Sequence, residues 1–202
     1  GELLDLNPPL SNSWYDTEDF SQVFEGMFTY DSNLNYVPCL ATGYTESADG
    51  YTYTYTLRHG VKFHDGIGLT ADDVLFSYLG YMNPATASQQ SATTMGYIGD
   101  DITFNWLNGT STRLVIDLAN GVGYYPANAT TKGTKNASMT AVDPYTVKIV
   151  LANYGDTGKP AATFHPEDDG INILPKHVLE TVPFANWKTN TFDTGVGTYT
   201  AN

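Results

Sequence analysis

Four places in this 202-residue chain carry side chains that could do chemistry. His64 and Asp65 are the most tempting acid–base pair, because an imidazole beside a carboxylate can relay a proton. Neighbours in a strand or tight turn point apart, however, so the pair reads better as a structural corner. His165-Pro166-Glu167-Asp168-Asp169 gathers hard oxygen donors next to an imidazole, a set that a divalent ion can use, although acidic loops of this kind are usually just solvated. Asp31-Ser32-Asn33-Leu34-Asn35 copies the first, third and fifth oxygen positions of an EF-hand loop. Its sixth position is Tyr36 rather than Gly and its twelfth is Thr42 rather than Glu, which argues against calcium. Cys39 is the single cysteine, so it excludes an intrachain disulfide, and a small buried apolar residue is the expectation over a reactive thiol. No G-x-S-x-G elbow, H-E-x-x-H helix, P-loop or dinucleotide glycine pattern occurs. No metal and no cofactor is therefore expected.

The elements that must position these residues are clearest from Tyr51 to Met82. Tyr51, Tyr53, Tyr55 and Leu57 alternate with Thr52, Thr54 and Thr56, which is strand spacing in strand-forming residues. Val61 to Phe63 then runs into Asp65-Gly66, a dipeptide suited to positive φ, and a hairpin or sharp corner is expected there. Thr70 supplies an N-cap, Asp72 and Asp73 sit in the first turn, and Val74, Leu75, Tyr78, Leu79, Tyr81 and Met82 recur at helical spacing until Asn83-Pro84 stops the helix.

Elsewhere, Thr17 is expected to cap a helix through Phe20, Val23, Phe24 and Met27. Phe28–Tyr30 and Tyr36–Val37 flank a polar tip and read as a hairpin. Strands are expected at Ile102–Leu107 and Arg113–Leu118 around Asn108-Gly109, with a long surface loop over residues 119–138. A further hairpin is expected from Thr140–Val142 and Tyr145–Leu151 around Asp143-Pro144. Pro175 suits the first turn of a short helix through Glu180, and Trp187 and Phe192 should anchor the tail.

Several of these pieces, in this order, resemble the N-terminal part of the family 5 extracellular solute-binding proteins. They are Val23-Phe24-Glu25-Gly26-Met27, Val37-Pro38 through Leu40-Ala41, Tyr55-Thr56-Leu57-Arg58, Val61-Lys62-Phe63-His64-Asp65-Gly66, Leu69-Thr70-Ala71-Asp72-Asp73-Val74, Leu174-Pro175-Lys176-His177-Val178-Leu179-Glu180 and Gly195-Val196-Gly197-Thr198-Tyr199. The resemblance departs at Asn7, where the family has Asp, and at Thr198, where it has Pro. It implies a mixed α/β (α+β) chain, similar to the periplasmic-binding-protein type II fold, that holds only the N-terminal part of the first lobe. Residues 1–24 and 176–202 would be parts of the main subdomain, residues 25–175 a smaller inserted subdomain, and the second lobe would be absent from this chain. It further implies ligand-facing roles for Asn12, Ser13, Trp14 and Gln90.

Charge narrows the range of partners. Nine Lys and Arg against twenty-two Asp and Glu give a net charge of −13, which repels phosphate backbones and anionic lipid, so nucleic acid is a poor partner. No run approaches a membrane span of ~18 apolar residues, and no leader pattern opens the chain. Three sequons, at Asn108, Asn128 and Asn136, are about as many as chance yields in a sequence this rich in Asn, Ser and Thr. The resemblance implies an extracytoplasmic component of an ABC importer. Its partners would be a peptide or other small solute and a permease, with membrane contact only through that permease and an anchor on a precursor. An adhesion or interaction module is the alternative that fits the acidic, Thr- and Tyr-rich composition, and a carboxylate-dependent hydrolase is a weaker one.

Overall fold

The computed structural model describes residues 7–10, 22–88, 98–99, 101–115, 137–153, 158–162, 164–167 and 170–189. A small hairpin comes first, from β1 (Phe28–Tyr30) and β2 (Tyr36–Pro38). Its tip is closed by Asp31, whose Oδ1 accepts the backbone N–H groups of Asn33 at 2.8 Å and Asn35 at 2.9 Å. Tyr30 and Tyr36 face each other across it, ring centroids 4.6 Å apart.

A six-stranded sheet follows, built from β3 (Ala41–Glu46), β4 (Thr52–Leu57), β5 (Asp101–Asn105), β6 (Ser111–Val115), β7 (Ala137–Asp143) and β8 (Thr146–Val150). The spatial order is β3-β4-β8-β7-β5-β6. Every neighbouring pair is antiparallel except β5 with β7. Period-two alternation becomes a cross-strand row: Tyr53 faces Ile149, Ile149 faces Met139 and Met139 faces Phe104, with all four side chains buried. The opposite face carries Thr54, Lys148, Thr140 and Asn105 in the same register, and Asn105 Nδ2 donates to Thr140 Oγ1 at 3.1 Å.

Helix α1 (Ala71–Met82) packs on the sheet over β7 and β8. Thr70 and Asp73 form a capping box, and Asn83 leaves the helix with ψ 122°, as the following proline demands. Sequence spacing gives α1 one apolar stripe, yet every residue except Asp72 is buried. The sheet covers one side, and the segment 170–189, about a hundred residues later, covers much of the other. That later segment contains a one-turn helix, α2 (Lys176–Leu179), and a 3-10 helix over Phe184–Thr189. Trp187 in the latter is 1% exposed and packs with Phe76 and Phe184.

The tyrosines of β4 do more than fill the core. A buried phenol needs a partner for its O–H, and Tyr53 finds one on β3 in Glu46 at 3.3 Å, while Tyr55, Tyr51 just before β4 and Tyr44 on β3 meet the chain that crosses beyond β8. Tyr51 lies 2.7 Å from the Gly158 carbonyl, Tyr55 donates to the Pro166 carbonyl at 3.2 Å, and Tyr44 on β3 donates to Glu167 at 2.9 Å.

Two expectations are corrected. The helix expected from Thr17 through Met27 is absent from its described part, residues 22–27: residues 22–23 form a turn and Gly26 bridges Asn172, while residues 17–21 lie outside the described residues. Met27 is buried because Cys39 and Ala41 both donate their N–H groups to its carbonyl, folding the hairpin onto the core. The surface loop expected over 119–138 ends earlier, since Ala137 and Ser138 open β7 through parallel pairing with Ile102 and Thr103. Residues 119–136, residues 116–118 of the strand expected after Arg113, and Phe192 lie outside the described residues.

Candidate functional site

The chemistry-bearing residues resolve into structural duties. Asp65 does not work with its neighbour His64. Its Oδ2 lies 2.6 Å from Nε2 of His177, which stacks obliquely on Phe63, and its Oδ1 accepts the Ile67 N–H. The His177 bond and the Ile67 N–H hold the Asp65 carboxyl below its ordinary value. Asp31 spends its carboxylate on the hairpin tip, and Glu167 is taken by Tyr44, while Asp168 and Asp169 lie outside the described residues. Among the described residues no group of three or more His, Cys, Asp or Glu side chains could hold a metal ion. Cys39 is only half-buried. Desolvation and the nearby Glu25 still push its thiol up, away from thiolate reactivity.

Asn12, Ser13, Trp14 and Gln90, the ligand-facing candidates, also lie outside the described residues. The ground on either side of them is described. Leu10, after a turn in which its N–H meets the Asn7 carbonyl, packs with Phe24 against a small cluster of Phe76, Leu174, Leu179 and Trp187. The 3-10 turn Pro84–Thr86, which leads towards Gln90, packs against Phe184–Thr189. Both stretches therefore start from the same small apolar cluster.

Sequence reasoning missed the most organised polar feature of the molecule. Asp73, 5% exposed, accepts the Thr70 N–H at 2.8 Å and its hydroxyl at 3.0 Å through Oδ2, and the Lys176 N–H at 3.0 Å through Oδ1. Burial raises the pKa of this carboxyl, with the hydrogen bonds from Thr70 and Lys176 and the charge of His177 opposing the shift. Ser77, fully buried, accepts the Leu174 N–H at 2.8 Å and donates to the Asp73 carbonyl at 2.7 Å. The signal available in the sequence was a buried-face position filled by Asp and Ser where an apolar residue belongs.

Beside these residues α1, the β5–β6 turn and the segment 176–184 enclose an open groove of about 360 Å³. Phe76, Trp106 and Phe184 form its apolar walls, with Asp72, Lys176 and Glu180 at the rim. Its charges are already engaged: Lys176 Nζ meets Glu180, and Asp72 accepts the Leu107 N–H at 2.9 Å.

Comparison with known proteins gives this architecture a family. The sequence profile of the bacterial extracellular solute-binding proteins, family 5 Middle, matches residues 35–198. The oligopeptide-binding protein AppA of Bacillus subtilis is 43% identical over 76 residues, a stretch covering 35% of this chain and 14% of that protein. The oligopeptide-binding protein SarA of Streptococcus gordonii is 28% identical over 146 residues, covering 72% of this chain and 19% of SarA. Among solved structures, NikZ from Campylobacter jejuni in complex with Ni(L-His) superposes with a TM-score of 0.64 at 26% identity, over 97% of this chain and 29% of NikZ. B. subtilis AppA in complex with a nonapeptide superposes with a TM-score of 0.57 at 24% identity, over 96% of this chain and 30% of AppA. The chain thus spans about 30% of the length of the solved relatives it matches. Its mixed sheet with flanking helix is a piece of the periplasmic-binding-protein type II fold. The chain belongs to the family 5 bacterial extracellular solute-binding proteins.

Proposed function

We propose that this chain is the N-terminal part of the first lobe of an extracytoplasmic binding protein that captures peptides for an ABC importer and delivers them to its permease. The observation that carries the proposal is the family match over residues 35–198, joined by relatives that are themselves oligopeptide-binding proteins. In this reading residues 25–175 are an inserted subdomain and the flanks 1–24 and 176–202 belong to the main subdomain. Two features support that division. The chain enters at Glu25–Gly26 and returns at Ile171–Lys176 side by side, with the Ile173 N–H on the Glu25 carbonyl at 2.9 Å and Gly26 bridging Asn172. The small apolar cluster around Trp187, separate from the large one under the sheet, is also where the two parts meet, Leu179 and Trp187 of the flank packing on Phe76 and Leu174 of the insert.

Asn12, Ser13, Trp14 and Gln90 are the residues proposed to face solute, which accords with their stretches starting from that small cluster. The protein needs no cofactor in this reading and catalyses no reaction. Capture is a population shift: a peptide touching both lobes favours the closed form by the contacts it gains only there. An extended peptide would be held mainly through its backbone. Membrane contact runs through the permease, and among the described residues no helix is long and apolar enough to cross a membrane.

Calorimetry with peptides of two to nine residues tests the two-wall reading. The 202-residue chain alone is expected to bind more weakly than micromolar, since it supplies one wall of the cleft. Micromolar affinity for this chain by itself would overturn the proposal that a second lobe completes the site.

A further inference from the structure

The return crossing is an extended segment, yet on one edge it is paired with a helix rather than with another strand. Its backbone N–H groups alternate in direction, as strand geometry requires. The N–H of Ile173 points to the incoming chain at Glu25, while those of Asn172, Leu174 and Lys176 point to α1. There they meet Tyr81 Oη at 3.4 Å, Ser77 Oγ at 2.8 Å and Asp73 Oδ1 at 3.0 Å.

The spacings explain how a helix can replace a strand. Residues four apart on a helix share a face and rise about 6.0 Å, while alternate residues of a strand are about 6.6 Å apart. Asp73, Ser77 and Tyr81 are four apart, and Lys176, Leu174 and Asn172 are two apart running the opposite way. The mismatch grows to about 1.2 Å over two steps. It falls at the Tyr81 end, where the bond is longest and the acceptor sits on the longest side chain. Register is protected as well. A one-residue slip would set Pro175 against Asp73 in one direction and against Ser77 in the other, and proline has no N–H to offer either buried acceptor.

We infer that Asp73, Ser77 and Tyr81 are positioning residues that form a side-chain seat for the return crossing, and that this seat, closed at its end by the Asp65–His177 contact, fixes how the flanks leave the insert. The functional part of this inference rests on the division into insert and flanks proposed above. Within it, the junction next to α1 is a rigid strut, and any bending that accompanies closure takes place elsewhere.

Residue-resolved hydrogen exchange on this chain, measured by NMR without solute, tests the seat directly. Ser77→Ala should lower the protection of the Leu174 amide by tenfold or more while Ile173 and the sheet amide of Met139 keep theirs. Asp73→Asn retains a carbonyl oxygen for Lys176 and turns a donor towards Thr70, so the Lys176 amide should stay protected while the Thr70 amide loses protection. Asp73→Ala should expose both. If Ser77→Ala does not fold, Ser77→Cys gives the same test with a weaker acceptor of similar size. Unchanged protection at Leu174, or an equal fall at Leu174, Ile173 and Met139, would overturn the seat. This outcome is read without peptide, so its failure leaves the solute-binding proposal standing, and a failure of peptide binding leaves the exchange pattern intact.

Discussion

Gly80→Ala is a substitution for which two rules give opposite signs. Gly80 lies inside α1, where glycine is about 0.8–1.0 kcal/mol less favourable than alanine, so helix propensity alone makes the variant more stable. Packing says otherwise. A Cβ placed on Gly80 would sit 2.6 Å from Cη2 and 2.9 Å from Cζ3 of Trp187, with Cε1 of Phe184 at 3.6 Å. Ordinary contact begins at 3.4 Å, so the indole would have to move by about 0.8 Å. It has little room to do so. Trp187 is 1% exposed, its ring centroid is 5.0 Å from that of Phe184 and 5.8 Å from that of Phe76, and its Nε1 donates to the Val182 carbonyl at 3.2 Å. Overpacking of this kind costs about 1–3 kcal/mol, which exceeds the propensity gain. The net effect is a loss of up to about 2 kcal/mol, or a fall in Tm of up to roughly 8 °C for a domain of this size. Urea unfolding followed by circular dichroism measures it. The double variant Gly80→Ala with Trp187→Leu should remove the clash, so that alanine at 80 becomes neutral or favourable in that background. A Gly80→Ala protein more stable than the parent by the full propensity gain of about 0.8–1.0 kcal/mol would refute the placement of Trp187 on α1.

Other expectations follow from single groups. Thr86 is 2% exposed and its hydroxyl has no hydrogen-bond partner among the described residues, so Thr86→Val should be neutral or stabilising by up to about 2 kcal/mol, measured by the urea midpoint. Desolvation and the neighbouring Glu167 and Glu46 carboxylates push the Tyr44 and Tyr53 hydroxyls up to about 12. The unfolded chain then releases protons near pH 10 that the folded chain keeps, so stability should fall as pH rises from about 10 to 12. Absorbance at 295 nm should show these tyrosines titrating only as the fold is lost, and full titration near pH 10 with the fold intact would contradict it.

Much of the fold was legible where the information is local. The Tyr–Thr alternation of β4, the Asn108-Gly109 and Asp143-Pro144 turns, and both ends of α1 are written within a few residues of each other. The features that escaped depend on partners far along the chain. Asp65 and His177 are 112 residues apart, and Asp73 and Lys176 are 103 apart. The polar pair Asp73 and Ser77 on a buried face is a hint, but a first-turn carboxylate is equally what the helix dipole favours, and nothing nearby names the returning strand that buries it. The start of β7 was hidden for the same reason, because Ala137 pairs in parallel with a strand some 35 residues earlier. The expected helix through Met27 shows the converse error. Its apolar spacing is real, but Gly26 is taken up by Asn172 and Met27 by the hairpin, so tertiary pairing overrides a local period. Of the proposed solute-facing residues, the sequence offered only a resemblance, since Asn12, Ser13, Trp14 and Gln90 carry no local pattern that requires a ligand.

Native mass spectrometry of the gene product that contains this chain, purified without added solute, tests the central claim most directly. The account predicts that the folded protein retains small peptides, which leave on denaturation and can be sequenced. A protein that carries no solute, and whose melting temperature is unmoved by any peptide of two to nine residues, would contradict it.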